Sequence, residues 1–479
     1  MGSTLQSKHL KRIGWPGNRV FGLALELARE LEAQGFARAE IIARLEEIRV
    51  APPAWTDTPG PAGEIAIVFE EERLAQERAV LRETGIDAPV WGRHLIDQGA
   101  IDQLQSAMRL PVTVAGALMP DAHIGYGIPI GGVVALEDAV APYMVGVDIA
   151  CRMMMTIYPR SFTESFETNV TTREGVRKAM IQETRLGLGA AFEPFARRQH
   201  DVLDDPDWHA TKQLKHLKDK AHKQLGTSGT GNHFVDAGLI DISPEGAVDI
   251  GVEPGEYFAL MSHSGSRGTG AQICARYSKI AQEVTPLDGK YRNLAWLPME
   301  TEAGQEYWTS MNLAGRYASA NHHTIHDALS RSIGERPMAT IENHHNFAWL
   351  EEHGGRKVYV HRKGATPASE GEIGIVPGSM AHDSFVVRGK GNAASLRSAS
   401  HGAGRQMSRR EANNTLPKGE RNAMLAERGI DLIAGGMDEA PGAYKEIEAV
   451  LAEQRDLVDP IARFRPRIVL MASDGKSEG

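Results

Sequence analysis

Residues 398–410, SASHGAGRQMSRR, combine one histidine, two glycines and three arginines in one short segment. Glycine allows the backbone to approach another group closely, and the planar guanidinium fork suits phosphate oxygens. A helix that begins near Ala403 would point its N-terminal amides at an anion. His401 would then lie beside a phosphate cradle, where a neutral imidazole nitrogen could attack a phosphoryl group and hold it covalently. Taken alone, the segment is better explained as a glycine-rich helix start with solvated arginines. The other histidine segments make the phosphate site the better interpretation.

A carboxylate and a thiol lie close together in VGVDIACRM, residues 145–153, where Asp148 and Cys151 are three positions apart. In a tight turn or a helix, this spacing places both side chains on one face. Together they suit a borderline divalent cation such as zinc, manganese or iron. The pair by itself is weak evidence, because a buried structural cysteine is the usual explanation for such a residue.

Histidines also recur in polar loops that follow predicted strands, in GTSGTGNHFVD (Asn232, His233), MSHSGSRGTG (His263) and IENHHNFAW (His344, His345, Asn346). One such histidine is typical of a hydrogen-bonded structural group. Three such loops, together with the aspartate–cysteine pair, indicate a metal centre. The ligand types could fill two sites that share the thiolate.

The segment MPDAHIGYGIPIGGVVA, residues 119–135, mixes glycines with apolar β-branched residues and predicts a loop that leads into a buried strand. Asp121 and His123 could act here as metal ligands or catalysts. They could equally be hydrogen-bonded loop residues, and the sequence leaves both interpretations open.

Composition restricts the class of protein. The chain has 479 residues, of which 42% are hydrophobic and 24% charged, as in ordinary globular proteins. It has no apolar run long enough to cross a bilayer, and its N-terminus lacks the apolar core of a signal peptide, so we expect a cytoplasmic location. Two cysteines argue against a disulfide framework. The net charge of -9 argues against general nucleic-acid binding, so a polyanionic substrate would need a local basic groove.

Periodicity predicts the elements that position these residues. Apolar residues at helical spacing predict two helices in residues 17–50 and a basic amphipathic helix in residues 211–226. The lysines of the latter are either solvated, which is the simpler interpretation, or contact an RNA backbone. The other predictions are a helical extension (1–50), a proline- and glycine-rich linker (51–63), a strand (64–69), a strand–turn–strand unit (358–385), a helix (444–454) and a flexible tail (471–479).

The chain resembles the RtcB family of RNA ligases. The motifs PDAHIGYGIPIGG, VGVDIAC, GTGNHF, SHSGSRG, HHNFA, RKGATPASEG, PGSM and SHGAGRQMSR occur in that family's order. The resemblance is specific because many separate motifs match, and it covers residues 64–470. It implies an α+β fold with one large catalytic domain in that range and a divergent, bacterial-type member of the family.

The resemblance implies a GTP- and manganese-dependent enzyme that joins RNA 3′-phosphate or 2′,3′-cyclic phosphate ends to 5′-hydroxyl ends, in RNA repair or tRNA splicing. His401 would be the nucleophile that forms a histidine–GMP intermediate. Two manganese ions would be held by a ligand set of Asp148, Cys151, His233, His263 and His345. The partners would be such RNA ends and a possible activating protein, without a membrane.

The resemblance also implies a set of nucleotide contacts, namely Asn232, Asp236, Arg267, His345, Asn346, Lys363, Pro377, Gly378, Ser379, Met380, Ser384, His401, Gly402, Ala403, Gly404, Arg405 and Arg409. Two guanine contacts of the family are replaced: Asp236 stands where glutamate is common, and Met471 stands where a terminal lysine is usual. These changes weaken the prediction of guanine selectivity, although Lys476 could substitute. Ala150 and Arg152 replace glycines beside the cysteine and are expected to crowd or charge the metal loop.

Two other functions compete with the ligase. One is a metal-dependent phosphatase or cyclic phosphodiesterase that acts on RNA ends without nucleotide transfer, and the other is a non-catalytic RNA-binding protein. His401 favours the ligase, because a hydrolase has no need of a covalent histidine–nucleotide. The complete ligand set argues against the non-catalytic protein.

Overall fold

The computed structural model describes residues 5–17 and 19–473, and the chain divides into two compact units, Met1–Val80 and Leu81–Gly479. The described part of the first unit is helical, with α1 (Ser7–Arg12), α2 (Arg19–Ala33), α3 (Arg38–Val50) and α4 (Pro61–Arg78). Its core contains apolar residues from all four helices, among them Leu10, Val20, Leu45 and Phe69. The two helices predicted within residues 17–50 are thus confirmed as α2 and α3.

The strand predicted at residues 64–69 is wrong, because this run lies inside α4. Ile65, Ala66 and Phe69 are buried and share one face of the helix. A short apolar run fits a buried strand or a buried helix segment equally well, and periodicity alone does not separate them.

Residues 51–63, predicted as a linker, also contain helical structure. A 3-10 helix spans Pro52–Ala54, and Pro61 begins α4. Proline at the first position of a helix costs no hydrogen bond and presets φ, so these prolines start helical turns. The division between the units lies after Val80, and the predicted boundary at residues 63–64 falls within the first unit.

The second unit mixes helices and strands, which confirms the α+β class. Its helices are α5 (Gln98–Ala107), α6 (Pro142–Val145), α7 (Arg160–Thr168), α8 (Val170–Glu183), α9 (Lys212–Gln224), α10 (Pro244–Ile250), α11 (Arg267–Val284), α12 (Glu302–Ile333), α13 (Arg409–Thr415), α14 (Lys418–Glu427) and α15 (Ile447–Ala452). The helices predicted at residues 211–226 and 444–454 are confirmed as α9 and α15. No helix of the described ranges is long and apolar enough to span a membrane.

The strands are β1 (Thr113–His123), β2 (Ile130–Leu136), β3 (Ala139–Val140), β4 (Arg152–Ile157), β5 (Phe234–Ile242), β6 (Gly255–Ser264), β7 (Leu297–Pro298), β8 (Ala339–His344), β9 (Phe347–His353), β10 (Arg356–Lys363), β11 (Ala365–Pro367), β12 (Ile373–Val376), β13 (Ser384–Gly389), β14 (Ser398–Ser400), β15 (Asp431–Ala434) and β16 (Val458–Met471). The predicted strand–turn–strand unit at residues 358–385 is more divided than expected, since this range overlaps four strands, β10 to β13. Residues 119–123, predicted as loop, complete β1, and the loop before β2 spans residues 124–129.

Two larger sheets form the framework of the second unit. One follows the order β12-β13-β16-β5-β6-β4-β8, with β15 paired in parallel to β16, and the other follows β1-β2-β10-β9. Two short pairs, β3-β7 and β11-β14, complete the described sheets. The long helix α12 is largely buried and contacts β4 and β6. Met471 belongs to β16 and not to a flexible tail, while residues 474–479 lie outside the described residues.

Candidate active site

One edge of the large sheet brings the predicted metal ligands together. Cys151 precedes β4, His233 precedes β5, His263 lies near the end of β6, and His345 follows β8. These strands pair antiparallel, β5 and β4 with β6, and β4 with β8. In antiparallel neighbours the start of one strand lies beside the end of the next. Residues that are far apart in the chain therefore meet at the same edge.

Their side chains are buried and form one continuous cluster with the partly exposed side chain of Asp148. The Sγ atom of Cys151 lies 3.4 Å from Nε2 of His233 and 3.0 Å from Nε2 of His263. Nε2 of His263 lies 3.1 Å from Nε2 of His345, and Nε2 of His233 lies 2.9 Å from Oδ2 of Asp148. The ligand atoms of the cysteine and the two histidines beside it are all within 4.8 Å of one another. The structure thus brings together all five predicted ligands.

The chemistry of this donor set fits a divalent cation. Burial lowers the pKa of His263 to about 3 and lowers that of His345 well below its usual value, so both imidazoles are neutral. Nδ1 of His263 donates to the carbonyl of Asn232 at 3.1 Å, which leaves its Nε2 lone pair free for a metal. Burial, and then the charge of Asp148, raise the pKa of the Cys151 thiol well above its usual value. A bound cation would stabilise the thiolate and so offset the free-energy cost of ionising this buried thiol.

A second buried pair lies next to this cluster. The carboxylate of Asp121, at the end of β1, has no exposed surface, and its Oδ2 accepts hydrogen bonds from Nδ1 of His401 at 2.7 Å and from the backbone N–H of His401 at 3.1 Å. The ring of His401 lies 4.9 Å from the ring of His345. Because Nδ1 is held as the donor, the free lone pair of His401 is on Nε2.

The structure distinguishes the two residues whose roles the sequence left open. Asp121 orients His401. Nδ1 of His123 donates to the carbonyl of Asp121 at 3.2 Å, and His123 lies in the same cavity wall, but among the described residues it is not part of the candidate metal cluster. Burial lowers the pKa of His123 to about 4, so it is a neutral, hydrogen-bonded residue.

The segment after His401 is not the helix start that the sequence suggested. Helix α13 begins at Arg409, capped by Ser408, whose Oγ accepts from the backbone N–H of Glu411 at 3.2 Å. The intervening loop contains Gly404 at a φ of 74°, a left-handed conformation that interrupts a helix. A Cβ atom on Gly404 would lie 2.0 Å from the carbonyl oxygen of Asp121. The close approach predicted for this glycine is therefore to the backbone that carries Asp121.

Gly404→Ala should destabilise the second unit by roughly 1–3 kcal/mol, because it combines an unfavourable φ with a backbone clash. The matched control is Gly419→Ala in α14, where a Cβ meets nothing within 4 Å and alanine favours the helix. Thermal unfolding followed by circular dichroism measures both variants. A Gly404→Ala protein that unfolds at the wild-type temperature would contradict the packing described here.

The metal cluster and His401 open into one cavity of about 930 Å³. All but one of the predicted nucleotide contacts line it, namely Asn232, Asp236, His345, Asn346, Lys363, Pro377, Gly378, Ser379, Met380, Ser384, His401, Gly402, Ala403, Gly404, Arg405 and Arg409. Met471 also lines it. Residues from most of the chain's conspicuous motifs therefore share one space large enough for a nucleotide.

Comparison with known proteins identifies the family. A family model described as tRNA-splicing ligase RtcB matches residues 103–472. The chain belongs to the RtcB family. RNA-splicing ligase RtcB of Escherichia coli (strain K12) is 32% identical over 405 residues, covering 79% of this chain and 96% of that protein. tRNA-splicing ligase RtcB of Thermococcus kodakarensis is 30% identical over 442 residues, covering 76% of this chain and 89% of that protein.

A third RtcB relative, RNA-splicing ligase RtcB of Mycobacterium tuberculosis (strain ATCC 25618 / H37Rv), is 29% identical over 431 residues, covering 76% of this chain and 98% of that protein. The resemblance read from the motifs is thus confirmed. The family match begins at residue 103, inside the second unit, so helices α1–α4 lie outside it.

Arg267 is the predicted nucleotide contact that does not line the cavity. Its side chain is buried, and its Nε donates to Oγ1 of Thr227 at 3.0 Å. Asn321 of α12 holds the same loop, accepting from the N–H of Gly226 and donating to the carbonyl of Thr227. Arg267 therefore supports the loop that carries Asn232 and His233 in this RtcB protein.

Arg405 and Arg409, two of the arginines predicted to contact phosphate, have acidic partners that the sequence did not reveal. Arg409 pairs with Asp438 at 2.8 Å and with Glu439, while Arg405 lies 3.3 Å from Glu439 and donates to the carbonyl of Asp438 at 2.7 Å. Both carboxylates are almost fully buried. Tyr444 donates to Glu439 as well. These acids fix the guanidinium planes in the cavity wall and neutralise much of their charge.

The replacements beside Cys151 have different consequences. Nη1 of Arg152 pairs with Oε1 of Glu342 at 3.1 Å, so its charge is compensated by that carboxylate. Ala150 adopts a φ of 55°, in the left-handed region that glycine favours. Its N–H donates to the carbonyl of Asn346 at 2.8 Å, which fixes this conformation against the segment that carries His345.

The lysines of α9 do not line the cavity. Lys215 and Lys218 instead border a separate groove with Asp204, Asp219 and His222. Contact of this helix with an RNA backbone stays a prediction.

Proposed function

We propose that this RtcB-family protein is an RNA ligase that joins 3′-phosphate or 2′,3′-cyclic phosphate ends to 5′-hydroxyl ends, using GTP and two manganese ions. The observation that carries the proposal is the Asp121–His401 pair, which holds a nucleophilic Nε2 beside a cluster of metal donors in one cavity. A hydrolase would not need a covalent histidine–nucleotide, which a histidine oriented in this way can form.

In the first step, Nε2 of His401 attacks the α-phosphorus of GTP, a P–N bond forms, and pyrophosphate leaves. The Nδ1 proton remains in its hydrogen bond to Asp121. Since the ring gains positive charge as the P–N bond forms, the buried carboxylate of Asp121 stabilises the product. The same carboxylate holds the ring in place through the backbone N–H of His401.

Divalent cations held by the aspartate, the cysteine and the three histidines would neutralise phosphate charge and assist the departure of pyrophosphate. Lys363 is already oriented, because its ammonium donates to the carbonyls of Tyr126 and of Tyr143, the latter at 3.2 Å. An ammonium has three donors, so one remains for a phosphate oxygen. Burial lowers the pKa of Lys363 to about 8, which still leaves it mostly protonated at neutral pH.

An oxygen of the RNA 3′-phosphate then displaces Nε2 of His401 from the GMP phosphorus, and the histidine recovers its lone pair. The 5′-hydroxyl oxygen attacks the activated 3′-phosphorus, GMP leaves, and the hydroxyl proton passes to solvent. A cyclic phosphate is first opened by water. The chain's part in these steps is to keep Nε2 and the phosphates in line, which matters more in phosphoryl transfer than acid–base catalysis.

The purified protein, incubated with manganese and labelled GTP and separately with labelled ATP, tests the first step by denaturing electrophoresis. An acid-labile adduct with GTP is expected. An adduct with ATP alone would show that Asp236 and Met471, which line the cavity, have changed base choice. No adduct in metal-loaded protein would favour the phosphatase or cyclic phosphodiesterase, which release of phosphate or opening of a cyclic end from RNA would detect.

Asp121→Asn should slow adduct formation by roughly 100-fold or more, because the amide can donate to Nδ1 and so move the proton to Nε2. Thermal unfolding is the control for folding. A variant with the wild-type rate of adduct formation would remove Asp121 from this role.

We further propose, from the divergence of the sequence, a role in RNA repair rather than tRNA splicing, in the cytoplasm. Deletion of the gene should then reduce survival after RNA damage. A cell that fails to splice intron-containing tRNA but tolerates damaged RNA normally would show the opposite assignment.

A further inference from the structure

The loop between β1 and β2, residues 124–129, forms one wall of the cavity, and the mechanism above leaves its side chains unused. Ile124 and Tyr126 line the cavity, yet 59% and 64% of their surfaces remain exposed. A single exposed apolar side chain is normal on a protein surface. Two of them within three residues, on the wall of a cavity that contains a nucleophile, indicate a surface that contacts a ligand.

The backbone of this loop is fixed even though its side chains are exposed. Gln103 of α5 donates to the carbonyl of Gly125 at 2.6 Å and accepts from its N–H at 3.1 Å. The carbonyl of Tyr126 accepts from Lys363. Gly127 has a φ of 76°, and a Cβ there would lie 2.8 Å from the carbonyl oxygen of Asn293. The ring of Tyr126 is therefore presented from a preorganised backbone, which reduces the entropy cost of binding.

An exposed cation lies in the lining of the same cavity. Arg410 makes no ion pair within the described ranges, whereas its neighbours Arg405 and Arg409 are both engaged by the buried acids Asp438 and Glu439. Its guanidinium is exposed and available to a phosphate that enters from solvent.

We infer that Tyr126, supported by Ile124, stacks on an unpaired nucleobase next to the reacting RNA end, and that Arg410 contacts the adjoining phosphate backbone. This inference rests on the proposed ligase function. Every base offers an aromatic face, so stacking on a tyrosine tolerates any sequence, as an enzyme that joins varied RNA ends requires. The fixed loop would hold the terminal nucleotide so that its phosphate reaches into the cavity.

Tyr126→Ala should raise the KM for RNA roughly tenfold through loss of stacking, with a smaller change in kcat. Tyr126→Phe, which keeps the ring, should restore the KM to near the wild-type value. The matched control is Phe195→Ala, because Phe195 is 92% exposed and lies outside the cavity lining. It should leave the KM unchanged.

RNA that lacks one base identifies the stacked nucleotide. Ligation is measured with an abasic nucleotide at the 3′-phosphate end or at the 5′-hydroxyl end. The ratio of the KM of Tyr126→Ala to that of the wild type should fall to about one with one of the two RNAs, because the partner of the ring is then absent. A difference that persists with both RNAs would overturn the inference.

The labelled-GTP adduct separates the two possible failures. If the wild type forms neither adduct nor ligated RNA, the proposed function fails. If it forms both and Tyr126→Ala has the wild-type KM, only the stacking role fails. Arg410→Gln should reduce the salt dependence of the KM, and an unchanged salt dependence would remove Arg410 from the contact.

Discussion

His401→Ala should abolish the nucleotide adduct, with a loss of at least about 10³-fold, while metal binding survives. The imidazole supplies the lone pair that the carboxylate of Asp121 orients in the cavity. The ring of His401 lies against that of His345, while the sulfur contacts of Cys151 in the described structure are with His233 and His263, so we expect removal of the His401 ring to leave the donor set in place. Labelled GTP with denaturing electrophoresis measures the adduct, and mass spectrometry of the bound metal measures the cluster.

The matched control for this variant is His216→Ala. His216 is exposed on α9 and lies outside the cavity lining, so its replacement should change neither adduct nor metal content. An adduct that persists in His401→Ala would place the nucleophile elsewhere. Simultaneous loss of adduct and metal would show that His401 also holds the cluster together, and the separation of roles argued here would then be wrong.

Local periodicity predicted the fold well where an element has a clear apolar face. Helices α2, α3 and α9 follow the spacing of their buried residues. It failed at residues 64–69, where a short apolar run has no distinguishable period. The helix start expected near Ala403, which rested on the glycines and arginines of that segment and not on periodicity, was also wrong. There the left-handed φ of Gly404 depends on the packing against Asp121, which is distant in the chain. Glycine permits such a conformation but does not require it.

In the site, too, local motifs predicted which residues take part, but not the contacts between distant segments. The motifs predicted five candidate metal donors, and the antiparallel edge of the sheet brings these residues together. The role of Asp121 and the acidic partners of the arginines depend on contacts between distant segments. Asp438 and Glu439 stand in a segment with no motif, so only the folded chain shows that they hold Arg405 and Arg409. Arg267, which the motif predicted to contact the nucleotide, instead donates to Thr227 and supports the loop that carries His233.

Cys151→Ala should remove most of the bound manganese. Its Sγ lies within 3.4 Å of both His233 and His263, so it is the donor that links the two ends of the cluster. If a thiolate at this position serves two ions, as we propose, its loss weakens both sites at once. Mass spectrometry of protein loaded with manganese and then desalted measures the metal, independently of catalysis.

The chain supplies a matched control for this variant in its second cysteine. Cys274 is buried as completely as Cys151, but it lies outside the cavity, with Sγ near the carbonyl of Pro142. Cys274→Ala removes the same atoms from a core position and should keep its manganese. Equal metal contents in both variants and in the wild type would remove Cys151 from the metal site. Equal losses in both would point to general destabilisation. A loss of manganese confined to Cys151→Ala would show that the thiol of Cys151 holds the metal, because the two cysteines share residue type, volume and burial.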